Sequence, residues 1–313
     1  STARLEALQR AELETRAEHL DARARAGRVR RGHGDLHLRN IALVDGRPLL
    51  FDCLEFDETL ATTDVLYDLA FLVMDLWHRG LMTEANMLAN RYLDVAPQGG
   101  RGYALLPLFL SIRAAIRAHV LAMNAQRGGD AELAGEARGY LALAEEALIP
   151  APPRLVAIGG LSGTGKTTLA RMLAAPLGRM PGARILRSDV FRKRLAGMSP
   201  ETRLPPSAYT AHSAADTYEA LFISADSHLG CGTAVVLDAV FALRSERDVA
   251  EALGHRDHVP FTGIWLEAPE QERIARVNTR SSDASDATPA VVHEQSRKSV
   301  GELGGWHRIR TNR

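Results

Sequence analysis

The chain has 313 residues, with 38 basic and 38 acidic side chains and two cysteines, Cys53 and Cys231. The even balance supplies no global charge to draw nucleic acid or an anionic membrane, and two cysteines are too few for a disulfide framework or a zinc site. A reducing cytoplasm fits that usage, no apolar run reaches the roughly 18 residues of a membrane span, and the charged first residues do not read as a signal peptide.

Apolar residues recur at three- and four-residue spacing over 2–26, 64–78, 102–126 and 130–148, which predicts amphipathic helices. Between the first two lies His33-Gly34-Asp35-Leu36-His37-Leu38-Arg39-Asn40. Apolar runs at 40–44 and 47–51 follow, joined by Asp45-Gly46, a strong hairpin signal. H-x-D-x-x-x-x-N is the spacing of a kinase catalytic loop. In that chemistry Asp35 takes the acceptor proton, Asn40 binds Mg²⁺, and Asp52, just past the second strand, supplies the second metal carboxylate. A strict two-residue turn pairs Asn40 with Phe51 and sends Asn40 and Asp52 to opposite faces. The chemistry therefore predicts a bulge or a three-residue loop, with which Pro48 is compatible.

Three prolines at 150, 152 and 153 cannot continue a helix and favour a stiff connector. They divide the chain into domains at 1–149 and 154–313. Downstream, strands at 154–159, 183–187, 234–238, 261–267 and 306–310 alternate with helices at 165–175, 189–196, 210–229, 244–253, 270–280 and 288–299. Such alternation predicts an α/β fold, a parallel sheet with helices on both faces. Ligands on these sheets sit at the carboxyl ends of the strands.

The first of these strands runs into Gly160-Leu161-Ser162-Gly163-Thr164-Gly165-Lys166-Thr167, followed by Thr168 and a helix. Strand, G-x-x-x-x-G-K-[ST] and helix make a phosphate cradle: the backbone from Gly160 to Thr168 turns its N–H groups inward and the new helix adds its positive end. ATP and Mg²⁺ are the expected ligands, with Lys166 on the β/γ-phosphates and Thr167 on the metal. The chain holds only three lysines, at 166, 193 and 298, and one of them stands where the cradle needs it. Asp238 ends an apolar strand and suits a second Mg²⁺ contact. Asp189 and Arg192, three apart on a new helix, suit a base for an acceptor hydroxyl and a grip on the acceptor. A helix cap is the plainer reading of Ser188 or Asp189. Arg273, Arg276 and Arg280 share a helical face before the segment 281–286, which reads as a lid, and Arg276 and Arg280 are the candidates to neutralise the transferred phosphoryl group.

GLSGTGKTT at 160–168, SDVFRK at 188–193, VVLDAVF at 235–241 and LEAPEQERIARVNTR at 266–280, with Ser285-Asp286-Ala287 in the lid, resemble the small P-loop kinases labelled AAA-domain predicted kinases. Those are similar to polynucleotide kinase, gluconate kinase and zeta toxin. The resemblance covers the downstream half and implies ATP-dependent phosphorylation of a hydroxyl. HGDLHLRN at 33–40, LLFDCLEF at 49–56 and DVLYDLAFL at 64–72 resemble the catalytic lobe of aminoglycoside phosphotransferases, in which Asp68 is implied to be a structural carboxylate. That family also needs an N-terminal lobe with a phosphate-binding lysine. No lysine precedes Lys166, so the upstream half is expected to be a mostly helical partial lobe, truncated or a remnant. The tandem order resembles bacterial proteins labelled bifunctional phosphotransferase/ATP-binding proteins.

A small-molecule hydroxyl compound is the expected partner, with no membrane. A nucleic-acid acceptor is less favoured, because it needs a basic channel for which only Arg184, Arg187, Arg192, Arg194 and Arg203 are available. The sequence leaves the oligomeric state open.

Overall fold

The computed structural model describes residues 2–279, 284–297 and 299–311. The chain forms two compact units, the first holding Ser1–Ala89, Arg101–Ala151 and Arg179–Pro181, the second Asn90–Gly100, Pro152–Gly178 and Gly182–Arg313.

In chain order the upstream elements are α1 (Thr2–Arg25), β1 (Val29–Arg31), β2 (Ile41–Val44), β3 (Arg47–Leu50), α2 (Glu58–Ala61), β4 (Thr62–Asp64), α3 (Val65–His78), α4 (Met82–Val95), α5 (Gly99–Tyr103), α6 (Leu106–Gly128) and α7 (Ala131–Glu146). The core of the first unit is α6 packed on α3 and α7. Pro107 opens α6 and Gly129, at φ 66°, closes it; Asp130 then caps α7 through Glu132 N and Leu133 N. The segment Gly99–Gly128 is long and apolar enough to cross a membrane by length and composition, but 67% of its most apolar window is buried inside the protein. Packing on neighbouring helices accounts for that apolar character. The short antiparallel pair β1–β4 and the helix α4 are additions to the elements that periodicity predicts. Asp64 ends β4, caps α3 through Leu66 N and takes a bidentate pair from buried Arg23 at 2.6 and 2.7 Å.

The hairpin β2–β3 corrects the expected register. Ile41 pairs with Leu50 and Val44 with Arg47, so the turn is a strict two-residue one, with positive φ at both Asp45 and Gly46. Phe51 N donates to Asn40 O at 3.1 Å and no bulge intervenes. The chain re-aims itself one residue later, where Asp52 takes φ 59°.

The downstream elements are β5 (Leu155–Gly160), α8 (Lys166–Ala174), β6 (Arg184–Arg187), α9 (Ser188–Leu195), α10 (Ala211–Leu229), β7 (Val235–Asp238), α11 (Arg244–Arg256), β8 (Phe261–Glu267), α12 (Glu270–Asn278), α13 (Pro289–Ser296) and β9 (His307–Arg310). They build a parallel sheet in the order β6-β7-β5-β8-β9. Successive side chains of β5 enter opposite cores, as a period of two requires. Leu155 and Ala157 join Trp265, Trp306 and Phe241 on one face, and Val156 and Ile158 join Ala170, Ala174 and Ile264 on the other. Strand order reverses at β5, between β7 and β8, so the crevice beyond its carboxyl end is the ligand position of such a sheet.

His228, near the end of α10, is buried, and burial together with the Arg184 guanidinium pushes its pKa down to about 3 from 6.5. The unfolded chain therefore binds one more proton than the folded chain between those values. This contribution to stability is whole above the unfolded value and falls by about 1.4 kcal/mol per unit as pH drops toward the folded one. Urea unfolding at stepped pH below 6.5 is expected to give a steeper loss of stability in wild type than in His228→Leu, the difference approaching that slope; equal slopes would refute the assignment.

Candidate active site

The loop between β5 and α8 is shaped by its glycines and braced from behind. Gly163 has φ 87°, and a Cβ placed there would lie 2.6 Å from Arg273 O and 2.8 Å from its Cα, so only glycine fits. The buried Thr164 hydroxyl donates to Leu161 O at 2.9 Å. Thr311, just past β9, donates its hydroxyl to Thr164 O at 2.9 Å, and Gln295 of α13 accepts from Ser162 N at 2.8 Å. The loop thus stands preformed on the Arg273 backbone of α12 and on the side chains of Gln295 and Thr311.

Ser162, Gly163, Gly165, Lys166, Thr167, Asp189 and Asp238 come together around one pocket. Thr167 Oγ1 donates to Asp238 Oδ2 at 2.6 Å, and Lys166 Nζ reaches Leu161 O at 3.2 Å. Asp238 is buried. A hydroxyl and a carboxylate are hard oxygen donors of the kind that bind Mg²⁺ in the company of substrate phosphates. A glycine cradle at a helix N-terminus fits a polyphosphate. The residues present therefore fit MgATP. Of the other cradle positions, Gly160 closes β5, Thr164 points into the protein as a brace, and Thr168 lies one step along α8 outside the pocket lining. Among the described residues no cluster of three or more His, Cys, Asp or Glu is placed to hold a metal.

Asp189 lies in the first turn of α9, half-buried beside the cradle. The residue at the cap position is Arg187, whose side chain makes no cap hydrogen bond, so the cap position falls to neither Ser188 nor Asp189. One turn on, Arg192 donates to Ser213 Oγ at 3.1 Å and lies 5.1 Å from the centre of the Tyr209 ring. Arg192 stands outside the pocket lining.

Arg276 departs from its expected role. Its guanidinium binds Glu272 at 3.1 Å, Thr311 Oγ1 at 3.1 Å and Gly163 O at 3.4 Å, so it braces the back of the loop rather than facing the pocket. Arg280 lies outside the described residues. The basic channel is also largely consumed within the fold. Arg184 is buried on Asn90 and Asp94, Arg187 on Asp238, and Arg194 donates to Leu93 O and Asp94 O. Arg203 remains exposed.

Asp286, in the predicted lid, is a finding that the sequence signalled only through its motif. Its carboxylate accepts from Lys193 Nζ at 3.1 Å, Leu204 N at 3.1 Å and Tyr209 Oη at 2.6 Å. Burial alone would raise its pKa, but these donors outweigh burial and hold it below the usual carboxylate range. Burial and the Asp286 carboxylate in turn push the Tyr209 hydroxyl up. Lys193 and Asp286 have side chains only 2% and 9% exposed, so removing one strands a buried charge. Asp286→Ala is expected to cost about 3–5 kcal/mol in chemical unfolding. That stabilisation is present above the normal carboxylate pKa and disappears as pH falls through the lowered one. A loss under about 1 kcal/mol would put the pair among exposed ion pairs instead.

In the first unit the loop 33–40 is held from beneath. Asp68 accepts from His33 N at 2.8 Å and Gly34 N at 2.9 Å, and Asp75, two turns along the same helix, accepts from Leu38 N at 2.9 Å. Asn40 Nδ2 donates to Asp35 O at 2.9 Å and Oδ2 at 3.1 Å, and His37 Nε2 lies 3.3 Å from Asp35 Oδ2. Asp35 and Asn40 are thus brought together. Asp52 is exposed, and among the described residues no hydrogen bond joins it to Asn40.

Residues 155–302 match the AAA domain family, and residues 1–106 match the phosphotransferase enzyme family. The chain pairs a phosphotransferase-like region with a P-loop kinase-like domain. The uncharacterized proteins Rv2004c of Mycobacterium tuberculosis and Mb2027c of Mycobacterium bovis are each 31% identical to it over 280 residues, which is 85% of this chain and 54% of theirs. The chain therefore spans about half the length of these relatives. Similar solved structures include a sugar kinase from Janibacter (21% identity, TM-score 0.37) and a putative kinase from Chloroflexus aurantiacus (21%, TM-score 0.40). Each alignment covers 51% of this chain and 85% of the other.

Proposed function

We propose that the P-loop domain transfers the γ-phosphoryl group of ATP to a hydroxyl of a small molecule, with sugars the first class to test. The convergence of Lys166, Thr167, Asp189 and Asp238 on one glycine-lined pocket carries this reading. Thr167 and Asp238 would hold Mg²⁺, which offsets charge on the β- and γ-phosphates. Lys166 would fix those phosphates against the cradle. Asp189 would take the proton of the acceptor hydroxyl while its oxygen bonds to the γ-phosphorus and the bond to the bridging oxygen breaks, releasing ADP. Arg192, one turn away, would orient the acceptor.

The first unit has a claim of its own in the Asp35–Asn40 arrangement. It has no lysine to grip phosphate, since the three lysines stand at 166, 193 and 298. Phosphotransfer by that unit, including to aminoglycosides or sugars, is the second reading. A test is phosphorus NMR of ATP incubated with mixed sugars, aminoglycosides and nucleosides. A new phosphomonoester resonance made by wild type and absent with Asp189→Asn supports the P-loop reading. ATP bound with no phosphomonoester from any acceptor would leave a nucleotide-binding regulatory module in its place.

A further inference from the structure

A second cation, in addition to Lys166, touches two residues of the pocket wall. Arg187 ends β6 beside Asp238, which ends β7, because the two residues are register partners in the parallel pair. Its Nε donates to Asp238 Oδ2 at 3.3 Å and its Nη2 to Thr167 Oγ1 at 3.3 Å. Thr167 Oγ1 in turn donates to the same carboxylate oxygen at 2.6 Å. The guanidinium therefore bridges the two groups expected to ligate Mg²⁺, and it does so from a side chain 10% exposed in a strand buried along its length.

We propose that Arg187 acts as a built-in counter-cation that closes the nucleotide-free site to free divalent metal, so that metal enters only together with the triphosphate. The inference rests on the P-loop reading above. Its physical basis is charge. With one buried carboxylate already neutralised by a fixed guanidinium, a bare divalent ion gains little there and meets like charge at close range. A triphosphate brings the missing negative charge, and Mg²⁺ in such sites binds through one or two carboxylates plus substrate phosphates rather than in an all-protein cage. The same guanidinium, with Lys166, then favours the phosphates even without metal.

The test is a Mn²⁺ titration followed by electron paramagnetic resonance on nucleotide-free wild type, Arg187→Gln and Arg187→Lys, with Asp238→Asn as background for other sites. A fluorescent ATP analogue is titrated in parallel in EDTA. Wild type and Arg187→Lys are expected to bind no Mn²⁺ beyond the Asp238→Asn background. Arg187→Gln is expected to gain a site of at least about tenfold higher affinity, and to lose about tenfold in metal-free analogue binding. A merely structural role for Arg187 predicts weaker analogue binding in Arg187→Gln with no Mn²⁺ site gained, which overturns the proposal. So does an Asp238-dependent Mn²⁺ site in nucleotide-free wild type that still binds the analogue, an outcome readable even if Arg187→Gln does not fold. Failure of wild type to bind the analogue in EDTA and with Mg²⁺ alike would instead overturn the nucleotide reading, and this inference with it.

Discussion

Asp189→Asn is expected to lower phosphoryl transfer by about 10²–10⁴-fold while nucleotide affinity stays at the wild-type level. The substitution keeps the shape of the side chain and removes its ability to accept a proton. Two observations separate this from a helix-stability effect: Asp189 lines the cradle pocket, and the cap position of α9 belongs to Arg187 with no side-chain cap. Single-turnover transfer beside equilibrium binding of an ATP analogue checks it. Equal losses in both quantities would make Asp189 a structural residue and move the base elsewhere.

Gly163→Ala is expected to weaken ATP binding by one to two orders of magnitude. An alanine at φ 87° carries strain of about 1–3 kcal/mol, and each 1.4 kcal/mol is about tenfold in affinity. The added methyl would also press on the Arg273 backbone, which cannot swing away as a side-chain tip can. Gly165→Ala makes the informative comparison. Its φ is 95° but its Cβ would meet nothing within 4 Å, so strain acts there without the clash. Calorimetric titration with ATP should therefore rank Gly163→Ala below Gly165→Ala, and both below wild type. The reverse order would mean that the loop is shaped by something other than its packing on α12.

The sheet of the second unit was legible because its strands are buried on both faces. Runs such as Leu155-Val156-Ala157-Ile158 have no competing explanation once a glycine loop follows them. The P-loop, Asp189 and Asp238 were legible for the same reason: in a parallel sheet the carboxyl ends of strands share one edge. Partners set by tertiary packing were not. Arg187 could be read as one more basic residue near a strand end, but nothing in the sequence says that its guanidinium turns onto Asp238. Gln295 and Thr311 support the loop from far along the chain, and no local spacing marks them. Arg276 shows the converse, a residue whose helical face was predicted and whose partners were not. The hairpin is the sharpest case. Turn chemistry alone, Asp45-Gly46, predicted the observed two-residue turn, and the bulge was inferred from a metal role for Asp52. The local rule held, and the chain turned at Asp52 instead.

The measurement that bears most directly on the central claim is acceptor-dependent ADP release at fixed Mg²⁺ for wild type, Lys166→Ala and Asp35→Ala, across sugars, aminoglycosides, nucleosides and 5′-hydroxyl oligonucleotides. Stimulated release that vanishes in Lys166→Ala and persists in Asp35→Ala is the predicted result, and it would name the acceptor class. Release that survives Lys166→Ala and is lost in Asp35→Ala would contradict the account and move the chemistry to the first unit.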